Sequence, residues 1–393
     1  MTRIPPHGKS VFLVIRDLLL LHDGMGDAER EKNQSIDRRN ALKGSVVGMG
    51  MKMSMIVLAL AILGMMTPSV EAYEEMKNPE PGKNGWKTIA EIPLPGNPTR
   101  FDYQSFDPVS GRLYVAHLGD SHLVVFDTKT NRVVANLPGY SQVHGVLDVR
   151  KLGRVYATVT SLTSTKNGHL IAVDAKTLKK VGQVEVGLHP DGLDFEEKTG
   201  RVFVSNEWGK SLSVIDAVKN KKIATIPLHG EVGNTRVDPV SHYVYSTVQT
   251  KNVLDRIDPF SLRVDREYPL PCHHPHGLWI NSRIHVAYVA CEWDSQILVV
   301  DLGSGKTLAA YPSGVRPDVL SFDPVRGLLF VAAESGEVSV YRRSGKGLVS
   351  ESTTFLGRNA HTIFVDSRTH RIYLPLQTMD GQPGLKILLY KGR

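Results

Sequence analysis

From Trp86 onward the apolar positions fall in short alternating runs rich in Val, Ile and Tyr, separated by Gly, Asp and Asn. A period of two, broken by turn residues, predicts antiparallel strands of about five residues, and no 3.6-residue apolar period competes with it. The runs recur in one phrase: an acid, then Gly-Arg, an apolar-aromatic-Val run, a turn, "LxVxD", a polar turn and a last apolar run. It reads "DPVSGRLYVAHLGDSHLVVFDTKTNRVVANLPG" from Asp107, "EEKTGRVFVSNEWGKSLSVIDAVKNKKIATIPLHG" from Glu196 and "DPVRGLLFVAAESGEVSVYRRSGKG" from Asp323. Looser copies start near Asp148, Asp238, Asn281 and Asp366. The anchors of the second strand are Tyr114, Tyr156, Phe203, Tyr245, Tyr288, Phe330 and Tyr373. They return roughly every 43 residues, the length of a four-stranded propeller blade. The longest interval, Tyr156 to Phe203, holds "TSLTSTKNGH", which predicts a longer loop.

The expected fold class is therefore all-β: a seven-bladed β-propeller of four-stranded antiparallel blades, with one domain over residues 86–393. The last copy ends after its third strand, "LKILLYKGR", while "WKTIAEIPLPG" from Trp86 matches the fourth strand of the others. The N-terminal strand is thus expected to complete the last blade and close the ring. Closure removes exposed strand edges that would otherwise pair with other chains.

Residues 1–72 do not carry the repeat. "MSMIVLALAILGMM" from Met53 is an uncharged apolar run after Lys52, and Val70-x-Ala72 suits signal-peptidase cleavage before Tyr73. The run falls short of the ~20 apolar residues of a spanning helix. Arg38 and Arg39, followed by Leu42 and Lys43, resemble a twin-arginine signal, although Ala41 replaces the usual aromatic. The alternative is general secretion from a start at Met49, Met51 or Met53. Either route gives a periplasmic or secreted protein with an export extension over 1–72, a linker over 73–85 and no integral membrane segment after processing. The net charge of +7 is spread along the chain without a Lys/Arg block, which argues for solubility and against nucleic acid as a partner.

The stretch "PDGLDFEEKTGRVFVSNEWGKSLSVIDAVKNKKIATIPL", Pro190 to Leu228, resembles the YVTN repeat of the YncE-like bacterial propellers. The resemblance covers essentially all of residues 86–393. It implies a closed seven-bladed ring and an exported protein. It implies no single activity, because that family is used for binding, scaffolding and catalysis.

The start of a blade's first strand and the end of its second lie on one face of the disk, and the first strand lines the channel. Five residues before the acid that ends strand one, the copies carry Asp102, His144, Asp191, Gly233, His276, Asp318 and His361. In the second copy the acid is Asp148, only four residues on, so a turn one residue shorter is expected there. Four residues after the second-strand anchor stand Leu118, Thr160, Glu207, Gln249, Glu292, Glu334 and Gln377. Arg100 and Arg316 stand two residues before Asp102 and Asp318, placed either to receive an anionic ligand or to pair with the nearby acids.

Two readings of this ring stand side by side. Repeat proteins place Asp, His and Asn at blade turns to bond backbone N–H groups, with no ligand involved. Alternatively, the ring is a funnel of imidazoles and carboxylates. Such donors suit a divalent cation as cofactor, with His144, His276, His361 and Glu292 as the expected metal ligands. Without metal, His276, His361 and Glu292 are the candidates for general acid–base catalysis. Trp208 and Trp293 follow two of the glutamates and either wall a pocket or pack on neighbouring blades.

Cys272 enters the fifth copy and Cys291 ends its second strand, so both approach one face. In an oxidising compartment a Cys272–Cys291 disulfide is expected; the sharper alternative is a copper site of Cys with His273, His274 and His276. Of the three histidines in "LPCHHPHGLWI", only His276 falls on the ring, and His273 and His274 are loop residues without counterparts in the other copies. Haem attachment through C-x-x-C-H, a G-x-S-x-G nucleophile elbow and a phosphate-binding glycine loop are all absent.

Two functions follow. One is a binding module, a monomer taking a small molecule, a metal ion or an exported partner protein at the channel mouth. The other is a metal-dependent lyase or hydrolase, lactonase-like in one form, using His and Glu on the same face.

Overall fold

Alternation along the chain is realised as strands throughout the computed structural model, which describes residues 85–160 and 165–392. The export extension 1–72, its cleavage site and the linker up to residue 84 lie outside the described residues. The described residues form seven four-stranded antiparallel sheets. In the third blade, for example, Pro190–Glu196, Arg201–Asn206, Ser211–Asp216 and Lys221–Pro227 pair in sequence order. Closure is by the N-terminal strand: Trp86–Pro93 pairs antiparallel with Gln382–Tyr390 and supplies the outer strand of the last blade. No helix among the described residues is long and apolar enough to cross a membrane.

The core is divided among the gaps between blades. Each strand sends alternate side chains to its two faces, and both faces of a blade meet a neighbour, so the second and third strands are buried nearly throughout. Seven hydrophobic clusters result, one in each gap. The cluster of Phe101, Leu113, Phe126, Tyr373 and Ile387 joins the first blade to the last, so the ring is sealed by packing as well as by hydrogen bonds. All seven second-strand anchors are buried.

The rest of the repeated phrase has a structural role at the face opposite the channel mouth. Asp107 accepts the backbone N–H of Val109 and Ser110, and Glu196 accepts those of Lys198 and Thr199. Asp238, Asp323 and Asp366 cap their turns in the same way. The Gly-Arg arginines reach the next blade: Arg112 donates to Ala175 O, Arg154 to Ala217 O and Arg201 to Pro259 O.

The second copy departs from the expected register. Val149 pairs with Arg154, as Asp107 pairs with Arg112 and Glu196 with Arg201, so Val149 and not Asp148 holds the place of the capping acid. A 3-10 turn at Arg150–Leu152, ended by left-handed Gly153, closes this hairpin without an acid. His144 therefore stands five residues before the turn, like its sisters, and the turn is not shortened.

In the second, third and fifth blades glycine follows the ring position, because the neighbouring strand crowds it there. A Cβ on Gly277 would lie 1.7 Å from Asp318 O, and one on Gly145 would lie 2.3 Å from Asp191 O. Neighbouring first strands can approach this closely only at a residue without a side chain.

Candidate functional site

The ring positions alternate acid and imidazole around the axis: Asp102, His144, Asp191, then Gly233, then His276, Asp318 and His361. These acids do not cap turns. His144 Nδ1 lies 2.8 Å from Asp102 Oδ2 and 3.7 Å from Asp191 Oδ1. His276 Nε2 lies 3.3 Å from Asp318 Oδ1 and 3.8 Å from Asp191 Oδ2, reaching across the blade that contributes only Gly233. Tyr103 OH enters between them, 3.5 Å from Asp191 Oδ2 and 3.3 Å from His276 Nε2. Hydroxyls on second strands hold the ring backbone in place: Thr158 donates to Asp191 O and Thr247 to His276 O, at 2.8 and 2.7 Å.

Above this ring lies a second tier. Glu207, Glu292 and Glu334 project from the ends of three second strands. Their own N–H groups are fixed by the carbonyls of His189, His274 and Arg316, at 2.9, 3.0 and 2.9 Å. The residue two positions before each ring residue thus forms a rim. His189, His274, Arg316 and Asn359 all sit there with left-handed backbones. His274 is therefore not a loop residue without counterparts: it occupies the place of His189, Arg316 and Asn359 in other blades. His273 remains outside, exposed and paired with Asp294.

Two blades carry the same rim device. His189 Nδ1 lies 2.9 Å from Glu207 Oε2 and its ring stacks on Trp208 at 3.9 Å. His274 Nδ1 lies 2.7 Å from Glu292 Oε2 and its ring stacks on Trp293 at 4.5 Å. Both tryptophans are exposed, so they brace the rim histidines and do not pack into a neighbouring blade. The signal in the sequence is H-P-x-G followed by Glu-Trp in copies three and five.

Ring and rim enclose a cavity of about 370 Å³, lined by Asp102, His144, Asp191, His276 and Asp318 below. Above these, Arg100, His189, Glu207, His274, Glu292, Arg316 and Glu334 complete the wall, with Leu118 and Gln249. His361 is not in the lining; it is wholly buried behind Asp318. A larger cavity of about 620 Å³ lies on the second blade, but its described lining has one acid, Glu185, and one imidazole, His169. The chemistry is concentrated in the smaller one.

The site's electrostatics follow from burial among like and unlike charges. Burial, and then the Asp102 charge, push Asp191 up to about 6. Burial alone would lower His276, but the carboxylates of Asp318, Asp191, Glu292 and Glu207 raise it to about 9. Burial also pulls Asp102 upward, yet the hydrogen bond and charge of His144 hold it below the usual carboxylate range. Against the same pull, Glu292 is held down at about 2 by His274, His276 and Arg316.

The four expected metal ligands do not converge. Glu292 is committed to His274 and Arg316, His144 faces Asp102, and His276 and His361 face the two oxygens of Asp318. The donors that do come together are Asp102, His144 and Asp191, and separately Asp318, Glu334 and His361; within each group they lie within 4.8 Å of one another. Arg100 is 2.7 Å from Glu334 Oε1 and 3.8 Å from Asp318 Oδ2, and Arg316 is bound to Glu292, so both guanidiniums are paired. Cys272 and Cys291 are joined in a disulfide, with Cα atoms 6.1 Å apart, and the copper alternative loses its thiolate.

No family model matches the chain, and no curated protein matches it in sequence. Solved structures do. The Kuenenia stuttgartiensis hydrazine synthase is similar with a TM-score of 0.61 at 14% identity, over 76% of this chain and 97% of that one. A chain in the crystal structure of the mitotic checkpoint complex is similar with a TM-score of 0.64 at 13% identity, over 77% of this chain and 91% of that one. At such identities the likeness concerns the fold. The chain is a seven-bladed β-propeller.

Proposed function

We propose that this chain is an exported propeller, of the YVTN-repeat YncE-like kind, that captures a small cationic ligand in the funnel at its channel mouth. One observation carries the reading: six carboxylates line the cavity and outnumber its cations, two guanidiniums already paired within it and the imidazoles of His144 and His276, whose proton affinity burial lowers but those carboxylates raise. The cavity volume suits a small molecule. Low-dielectric walls focus the surplus negative potential, and a cation that displaces little structure gains most from it. The disulfide supports a periplasmic or secreted protein; cleavage near Ala72 and a monomeric state belong to the same proposal.

The test is thermal denaturation with spermidine, choline or citrate added singly. Spermidine or choline is expected to raise the midpoint, citrate to leave it unchanged, and Glu207→Gln to halve the shift or more. A preference for citrate, or a shift that Glu207→Gln does not alter, would refute the reading.

Catalysis is the second reading, favoured by Asp191 and His276. Their proton affinities are pushed up to about 6 and about 9 while Tyr103 OH sits between them, an arrangement suited to proton transfer in a lyase or hydrolase. Turnover that His276→Gln abolishes while spermidine still binds would place this reading above the first.

A further inference from the structure

We propose that Asp318, Glu334 and His361 form a binding site for a first-row divalent cation such as Zn²⁺ or Mn²⁺, in the wall of the funnel between the last two blades. The site deepens the reading of the mouth as a cation-binding funnel and rests on it.

The argument begins with an orphaned atom. His361 is fully buried, and its Nε2 has no hydrogen-bond partner among the described residues. It points towards Asp318 Oδ2, 4.0 Å away. The other ring nitrogen faces oxygens: Asn359 O at 3.2 Å and Asn359 Oδ1 at 3.1 Å. Two acceptors there require Nδ1 to carry a proton. In the neutral ring the lone pair therefore sits on Nε2, directed at carboxylates that repel it. A metal ion resolves that conflict, since it draws the lone pair and both carboxylates to one centre.

The surroundings are those of a supported metal ligand. A ligating imidazole ordinarily donates its second N–H to a carbonyl or carboxylate, which fixes its tautomer and orientation. Asn359 does this for His361, and its amide also donates to Glu334 Oε2 at 2.8 Å. One side chain thus orients two of the three donors. The donor atoms lie within 4.8 Å of one another. Ligand bonds of about 2.1 Å place tetrahedral donors about 3.4 Å apart, so a small rotation of the carboxylates completes the set. One imidazole with two carboxylates suits Zn²⁺ or Mn²⁺ and leaves a coordination position open to the cavity, which Asp318 and Glu334 both line.

The companion group of Asp102, His144 and Asp191 differs in the respect that decides between them. His144 Nδ1 is already hydrogen-bonded to Asp102, so that group is satisfied without an ion. At the proposed site the competitor is Arg100, whose guanidinium holds Glu334 and approaches Asp318. Metal and guanidinium charges repel, so Arg100 tunes affinity downward.

The experiment uses the full chain, stripped by a chelator and titrated with Co²⁺ alone by visible absorption and with Zn²⁺ alone by calorimetry. One ion per chain is expected. Asp318→Asn and Glu334→Gln, which preserve shape, are expected to weaken it by about tenfold or more and to alter the Co²⁺ bands. Arg100→Gln is expected to tighten it several-fold. Glu334→Gln, facing the cavity, carries the test if the buried Asp318→Asn variant fails to fold. No ion bound, or binding unaffected by Glu334→Gln but lost in Asp102→Asn, would overturn the site. Spermidine binding that persists without metal binding would overturn this site alone, whereas loss of both would overturn the funnel reading as well.

Discussion

The two ends of the innermost strands carry the same residue types and use them in opposite ways. At the turn face, Asp107, Glu196 and Asp323 accept backbone N–H groups a few residues ahead. Five residues earlier on the same strands, Asp102, Asp191 and Asp318 face imidazoles, a phenol and each other across the channel. The first set builds the turns locally in five of the blades, and Glu196 and Asp323 also bond His242 and His370 of the next blade. The second exists only because blades distant in sequence converge on one axis. Residue type therefore says little here about role; the end of the strand says more.

The comparison breaks most clearly through stability. Replacing His144 by Ala removes the hydrogen-bonded partner of buried Asp102 and is expected to destabilise by about 3 kcal/mol, as for other split buried pairs. Asp107→Ala at the turn face loses backbone bonds that water can replace and is expected to cost about 1–2 kcal/mol. Urea unfolding of the two variants checks this, and equal losses would erase the distinction between the ends. The mouth also has a covalent tie absent from the turn face. Cys272→Ser is expected to lower stability by about 3 kcal/mol, and a reducing agent should reproduce that loss in the unaltered chain only.

The pH dependence sharpens the contrast. Burial lifts the turn acids Asp107 and Glu196, but hydroxyl and backbone donors more than offset it and hold both below their ordinary values. Their contribution is present above the ordinary carboxylate range and lost as pH falls through the lowered values. Glu292 at the mouth behaves likewise, its share lost towards about pH 2. His276 has the opposite sign. Its value is raised to about 9, so its contribution is complete below about 6.5, the ordinary imidazole value, and lost as pH rises through 9. Asp191, raised to about 6, adds a loss between its ordinary value and 6. Stability is thus expected to fall from about pH 6 to 9 chiefly through His276, with buried Asp255 of the fourth blade adding a loss up to about pH 7, and His276→Gln should flatten the upper part of that decline in a series of urea midpoints.

The smallest effect expected is at the rim. Trp208 is 43% exposed and braces His189 by stacking, so Trp208→Ala should cost about 0.5–1 kcal/mol of stability. Its sharper readout is spermidine affinity, which should weaken as His189 and Glu207 lose their fixed orientation.

Much of this was legible before any coordinates. The blade number, the closing strand and the channel-facing positions follow from a repeat in which every copy constrains the others, and the disulfide from two cysteines that one copy brings to the same face. The misreadings were local. The repeated phrase points to Asp148 as the capping acid, whereas pairing with Arg154 gives that place to Val149. The equivalence of His274 is hidden in sequence because its sister positions hold His, Arg and Asn, types that share no chemistry and become equivalent only through their backbone.

The sequence by itself determined the architecture, because alternation, turn residues and a fixed period act over a few residues and repeat along the whole chain. Only the tertiary structure decided which acid meets which imidazole. Asp102 lies 42 residues from His144, and Arg100 lies 234 residues from Glu334. Those pairs are set by rotamers, by the gap at Gly233 and by the orientation of Asn359. The imidazole that Asn359 leaves with an unpaired nitrogen, His361, is a property of the closed ring that no single repeat carries.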